Sequence, residues 1–96
     1  MEDVVYYNEL YDYYGELLTD KQKKYFEDYY FHNLSFSEMA ENYGVSRNAV
    51  FKQIHIVLDK LDEYEEILKL KEKREKILSL IDNPKLQKEI EEILYK

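Results

Sequence analysis

Between positions 47 and 55 the stretch RNAVFKQIH carries Arg47, Asn48, Phe51, Lys52 and His55. If this stretch is helical, with Val50, Ile54, Val57 and Leu61 turned inward, those five side chains share the outward face. Their types suit recognition. Arg47 and Asn48 in a first helical turn sit beside unpaired backbone N–H groups, where the helix dipole favours a phosphate. Arg47 or Lys52 can read guanine and Asn48 can read adenine, for about 1–3 kcal/mol per good pair. Phe51 can stack on an unpaired RNA base for roughly 1–3 kcal/mol, anchor a protein partner, or pack on the preceding helices or a second chain. His55 reads as a polar residue of the same face, with Gln53 on its flank.

Catalysis has no comparable constellation. The Asp and Glu residues are spread along the chain, and no nucleophile–base set or glycine-rich phosphate loop is present. The two histidines have no cysteine and no ligand spacing to work with, so no metal site is expected. The expectation is a non-enzymatic protein without a cofactor.

The elements that must position this face can be read from caps and periodicity. A first helix spans about Val4 to Tyr14, with Gly15 as its C-cap. Thr19 caps a second helix whose apolar side holds Phe26, Tyr29 and Tyr30 and which ends near Asn33. Ser35 and Glu38 have capping-box spacing and open a third helix, with Phe36, Met39, Ala40 and Tyr43 on its buried side. Gly44 takes the turn and Ser46 caps the next helix. A helix-turn-helix needs a small residue where its helices touch, a glycine in the turn and apolar locks on the second helix. Ala40, Gly44, Val45, Val50 and Ile54 fill these roles at the right offsets.

From Arg47 the pattern runs without a breaker to about Ile81. Val50, Ile54, Val57, Leu61, Tyr64 and Leu68 form a heptad seam. The charged run KEKREK at 71–76 interrupts it, so the helix leaves the core there or breaks and restarts. Asp82 or Asn83 then caps a short last helix with Pro84 in its first turn. The fold class expected is all-α: a helix-turn-helix domain over residues 1–61, with a long helix, and a helical extension over 62–96. The first three helices are expected to cover only the beginning of the seam. The rest is then an association site, which points to a homodimer through the long helix.

The formal net charge is -7, and it is unevenly placed. Residues 1–46 hold ten acids against three bases, whereas 47–64 balance at three each and 65–96 at eight each. A nucleic-acid binder usually shows a basic stripe, so tight non-specific DNA binding is disfavoured. A local contact is still allowed, because charges more than about 8 Å apart are largely screened at physiological salt. The eleven tyrosines fall at helical spacing and read as amphipathic core or interface residues rather than as an RNA-stacking platform. No stretch approaches the roughly 18 apolar residues of a membrane span, and the acidic start MEDVVYYNEL is unlike a signal peptide. A cytoplasmic protein without membrane insertion is expected.

Residues 17–61, LLTDKQKKYFEDYYFHNLSFSEMAENYGVSRNAVFKQIHIVLDKL, resemble the fourth region of bacterial sigma factors, which recognises the −35 promoter element. The combination of LLTDKQ, YFEDYY, GVSRNAV and VLDKLDEYE is more closely similar to the YlxM-like family of small bacterial proteins. That likeness runs from about residue 6 to 96 and is specific through residue 68. Members look like stand-alone sigma-region-4 domains and are usually encoded beside the GTPase of the signal recognition particle. The resemblance implies an accessory or regulatory role in that pathway, through binding the particle's GTPase, its RNA, or both. The alternative it leaves open is a sequence-specific DNA-binding regulator. The face departs from the sigma pattern in carrying Phe51 and His55 where sigma-type recognition helices usually carry Arg or Lys.

Overall fold

The computed structural model of the protein describes residues 3–95. They form six helices and no strand: α1 Val4–Tyr14, α2 Asp20–Tyr30, α3 Phe36–Tyr43, α4 Arg47–Leu68, α5 Leu70–Ser79 and α6 Pro84–Leu94. The all-α expectation holds. Local chemistry sets most of the boundaries. Thr19 and Ser35 each close a full capping box, with Gln22 and Glu38 as the returning partners. Ser46 accepts from the Ala49 N–H, and Asn83 rather than Asp82 caps α6 ahead of Pro84.

Gly44 ends α3 in the left-handed region at φ 66°, and its N–H and that of Val45 both donate to the Ala40 carbonyl. A Cβ there would meet nothing within 4 Å, so the glycine is required by its backbone angle and not by space. Gly15 is the C-cap of α1, as expected, and its N–H donates to the Tyr11 carbonyl. It is right-handed at φ -55° and opens a 3₁₀ turn over Gly15–Leu17. A side chain at that position would meet the Tyr11 ring at 3.2 Å.

α4 is the axis against which α1, α2 and α3 pack. The expectation that these helices cover only the beginning of the heptad seam is corrected. Val50, Ile54, Val57 and Leu61 are all buried, with Leu58 beside them, and Tyr64 packs against the same core. The reason is that α1 runs along the distal half of α4: Tyr7 donates to Asp62 at 2.9 Å and Tyr14 to Glu65 at 2.6 Å. Only Leu68 at the end of the seam is exposed.

The tyrosines do much of this joining. Tyr14, Tyr25 and Tyr30 are buried in the core, and Tyr11 stacks on Phe26 at 4.3 Å between ring centres. Several tyrosine hydroxyls meet carboxylates: Tyr14 donates to Glu65, Tyr11 to Glu27 and Tyr43 to Asp28. Burial is the main reason that the phenol pKa values of Tyr11, Tyr14 and Tyr43 are raised, reinforced by those carboxylate partners. Part of the acid-rich first half is therefore occupied in holding the helices together rather than facing water alone.

The long helical run breaks at Lys69, which adopts φ 56°. This lies just before the charged run, not within it. The break is stabilised by side chains standing in for the missing helical acceptors. Glu65 accepts from the Lys71 and Glu72 N–H groups, each at 3.1 Å, and the Tyr14 hydroxyl accepts from the Leu70 N–H at 3.0 Å. α4 thus passes residues 61 and 62 without interruption, and the chain changes direction at Lys69. α5 and α6 then form a hairpin that returns to α1 through a stack of Tyr13 on Tyr95 at 4.7 Å and an ion pair from Lys71 to Glu9 at 3.6 Å.

Candidate nucleic-acid and partner interface on α4

The five outward residues of α4 occupy one accessible face. Arg47, Asn48, Phe51 and Lys52 are exposed and His55 is half-buried. Neither Arg47 nor Lys52 has an ion-pair partner among the described residues. Phe51 is 44% exposed, so it does not belong to the core of this chain. It lies between two rings, 4.3 Å from that of His55 and 5.9 Å from that of Phe36, which it meets edge to face. Phe36 in turn stacks on Tyr29 at 4.7 Å. This row of rings holds Phe51 in place from the side while leaving its outer surface accessible.

Phe36, Arg47, Asn48 and Phe51 line an open depression of about 540 Å³. A base or a flat side chain fits such a floor, with a guanidinium and an amide at its edge to satisfy polar atoms. Phe36 was expected only on the buried side of α3. It is half-buried, because the first residue of α3 lies where that helix meets α4. Its place at the site follows from the packing of α3 on α4, which its position in the sequence does not signal.

Of the structural set, Ala40, Val50 and Ile54 are buried at the contact of α3 and α4, and Gly44 makes the turn. Val45 does not act through its side chain as expected. It is 42% exposed and is not part of the buried core. Its contribution is the N–H donated to the Ala40 carbonyl at 3.1 Å. Its side chain instead lines a second concavity with Lys21, Lys24, Tyr25 and Tyr43. The two lysines stand in an acidic segment, and only the packing of α2 on the turn sets them beside Tyr43 and Val45.

A short helix joined by a glycine turn to a longer one, which presents a polar and aromatic face, defines a helix-turn-helix protein. The sequence matches the profile of the UPF0122 family, described as "Putative helix-turn-helix protein, YlxM / p13 like", over residues 1–95. Among its relatives, a UPF0122 protein of Shouchella clausii is 46% identical over 77% of this chain and 68% of the relative. Another from Mycoplasma capricolum is 43% identical over 85% of this chain and 73% of the relative. A third, from Caldanaerobacter subterraneus, is 38% identical over 88% and 72%. The chain belongs to the UPF0122 family. Among the described residues, no helix is long and apolar enough to cross a membrane.

Proposed function

We propose that the protein is a regulatory helix-turn-helix protein that acts by binding, in the cytoplasm, within the signal recognition particle pathway. Its partners there are the particle's RNA and its GTPase. The YlxM-like character of the chain supports the pathway, and the geometry of α4 supports RNA as the ligand of the face. The observation that carries this reading is Phe51, held half-exposed between His55 and Phe36 at the centre of the face. An accessible ring flanked by Arg47 and Asn48 suits an unpaired, splayed base, as single-stranded RNA loops offer. With only Arg47 and Lys52 as cations, the face has few phosphates to neutralise and little hold on duplex DNA. The test is capture from lysate at low salt followed by identification of bound RNA and protein. Enrichment of the particle's RNA, lost in Phe51→Ala, is expected; failure to enrich either RNA or GTPase removes the reading.

A second reading is a sequence-specific DNA-binding regulator resembling sigma region 4. The exposed, unpaired Arg47 and Asn48 in the first turn of α4 favour it, since such residues reach base edges in other helix-turn-helix proteins. It requires a duplex that binds below micromolar concentration at about 50 mM salt and is lost in Arg47→Ala or Lys52→Ala.

We also propose that two chains pair as a homodimer. Because the α4 seam is buried within one chain, the exposed apolar side chains that support pairing lie further on: Ile67 at the end of α4, Leu80 between α5 and α6, and Ile93 on α6, exposed by 68%, 85% and 74%.

A further inference from the structure

We propose that the concavity beside the helix-turn-helix turn, lined by Lys21, Lys24, Tyr25, Tyr43 and Val45, holds a backbone phosphate of the RNA strand that α4 contacts. The inference rests on the RNA reading above and extends its footprint to α2.

Residues 1–46 contain only three bases, and all three lie between positions 21 and 24. Lys23 is already committed to Glu16, at 3.4 Å. Lys21 and Lys24 have no ion-pair partner among the described residues. Their ammonium groups instead lie over aromatic faces, each 5.8 Å from a ring centre: Lys21 over Tyr25 and Lys24 over Tyr43. The two rings stack on each other at 4.6 Å and 12°. A ring face orients an ammonium without neutralising it, so both charges stay available to an anion. The carboxylate of Asp28 is engaged by the Tyr43 hydroxyl, which donates to it. The space enclosed, about 270 Å³, admits a phosphate group with its oxygens toward the two lysines.

Placement matters as much as charge. Val45 forms one wall of the concavity, and Ser46 and Arg47, which begin α4, follow directly in the chain. Two residues span at most about 7 Å, so a strand contacting Arg47 passes the concavity within a nucleotide or two. The acidic first half thus opens a positively charged path at its border with α4.

The test compares three proteins binding in-vitro-transcribed signal recognition particle RNA between 50 and 200 mM salt: wild type, Lys21→Gln/Lys24→Gln, and Arg47→Gln/Lys52→Gln. Single-stranded contacts contribute about 0.7 each to the slope of log K against log salt. Losing that one phosphate contact should therefore lower the α2 variant's slope by about 0.7, which is roughly 5-fold in affinity at 0.1 M salt. All four positions are on the surface, and an unchanged thermal midpoint verifies folding. An unchanged slope in the α2 variant, alongside a reduced slope in the α4 variant, overturns the inference and leaves the RNA reading standing. Retained RNA binding with loss of GTPase capture assigns the lysines to an acidic protein surface and also overturns it. Absence of salt-dependent RNA binding by the wild type removes the RNA reading and the inference together.

Discussion

Residues 10–61 and the α5–α6 hairpin are both helical, yet they are held by different forces. Every fully buried apolar side chain among the described residues lies between Leu10 and Leu61, whereas α5 and α6 contain none. The hairpin relies on partly exposed pairs. Arg74 meets Glu91 at 2.8 Å and lies over the Tyr95 ring at 5.9 Å, while Gln87 donates to the Leu78 and Ile81 carbonyls. Exposed ion pairs contribute about 0–1 kcal/mol each, far less than a buried core side chain. The rigid part of the molecule is therefore the part that presents the α4 face, and the hairpin sits at the low-stability end.

The largest effect should come from the core. Phe26→Ala should cost about 3–5 kcal/mol in urea denaturation, and Ile54→Ala about 2–5 kcal/mol. Leu80→Ala in the hairpin should stay within about 0.5 kcal/mol. Similar losses at both places would break the contrast.

The junction should show an intermediate effect. Glu65→Ala removes the acceptor of the Tyr14 hydroxyl and of two α5 N–H groups, and should cost about 1–3 kcal/mol. Hydrogen exchange would sharpen the result: protection should fall in α5 and persist in α2 and α3.

Alkaline pH separates the regions in another way. The phenols of Tyr11, Tyr14 and Tyr43 have folded pKa values raised above the ordinary 10.0, so the folded state holds these protons more tightly than the unfolded chain. Their contribution is fully present below pH 10 and is lost as pH rises through the folded values. Tyrosinate absorbance and helicity, followed together, should show these tyrosines ionising as the helix-turn-helix half unfolds.

The smallest stability effect belongs to Leu80→Lys/Ile93→Lys, within about 0.5 kcal/mol for the single chain. Its readout is assembly: sedimentation of the wild type as a dimer and of this variant as a monomer is expected. An unchanged dimer would move the pairing surface elsewhere.

What was legible in the sequence follows the same division. Thr19, Ser35, Gly44, Ser46 and Asn83 act through neighbours a few residues away, so their consequences are local and readable. Val50, Ile54, Val57 and Leu61 repeat at a period that only a buried helix face explains. The break at Lys69 had no such signature. Lysine is not a usual left-handed residue, and the acceptors that stabilise it there include Tyr14, brought close by the packing of α1 on α4. Phe36 at the site and the free charges of Lys21 and Lys24 were hidden for the same reason. Each depends on which rings and helices come together in space, and neither spacing nor composition records that.

The joint at Lys69 also has a mechanical meaning. α5 extends about 15 Å from it, so a rotation of about 20° there would swing the hairpin tip by about 5 Å. The carboxylate of Glu65 and the hydroxyl of Tyr14 work as a latch at the short end of that lever. Whatever grips the tip near Leu80 pulls with leverage on a latch anchored in α1 and in α4, the helix that carries Arg47 and Phe51.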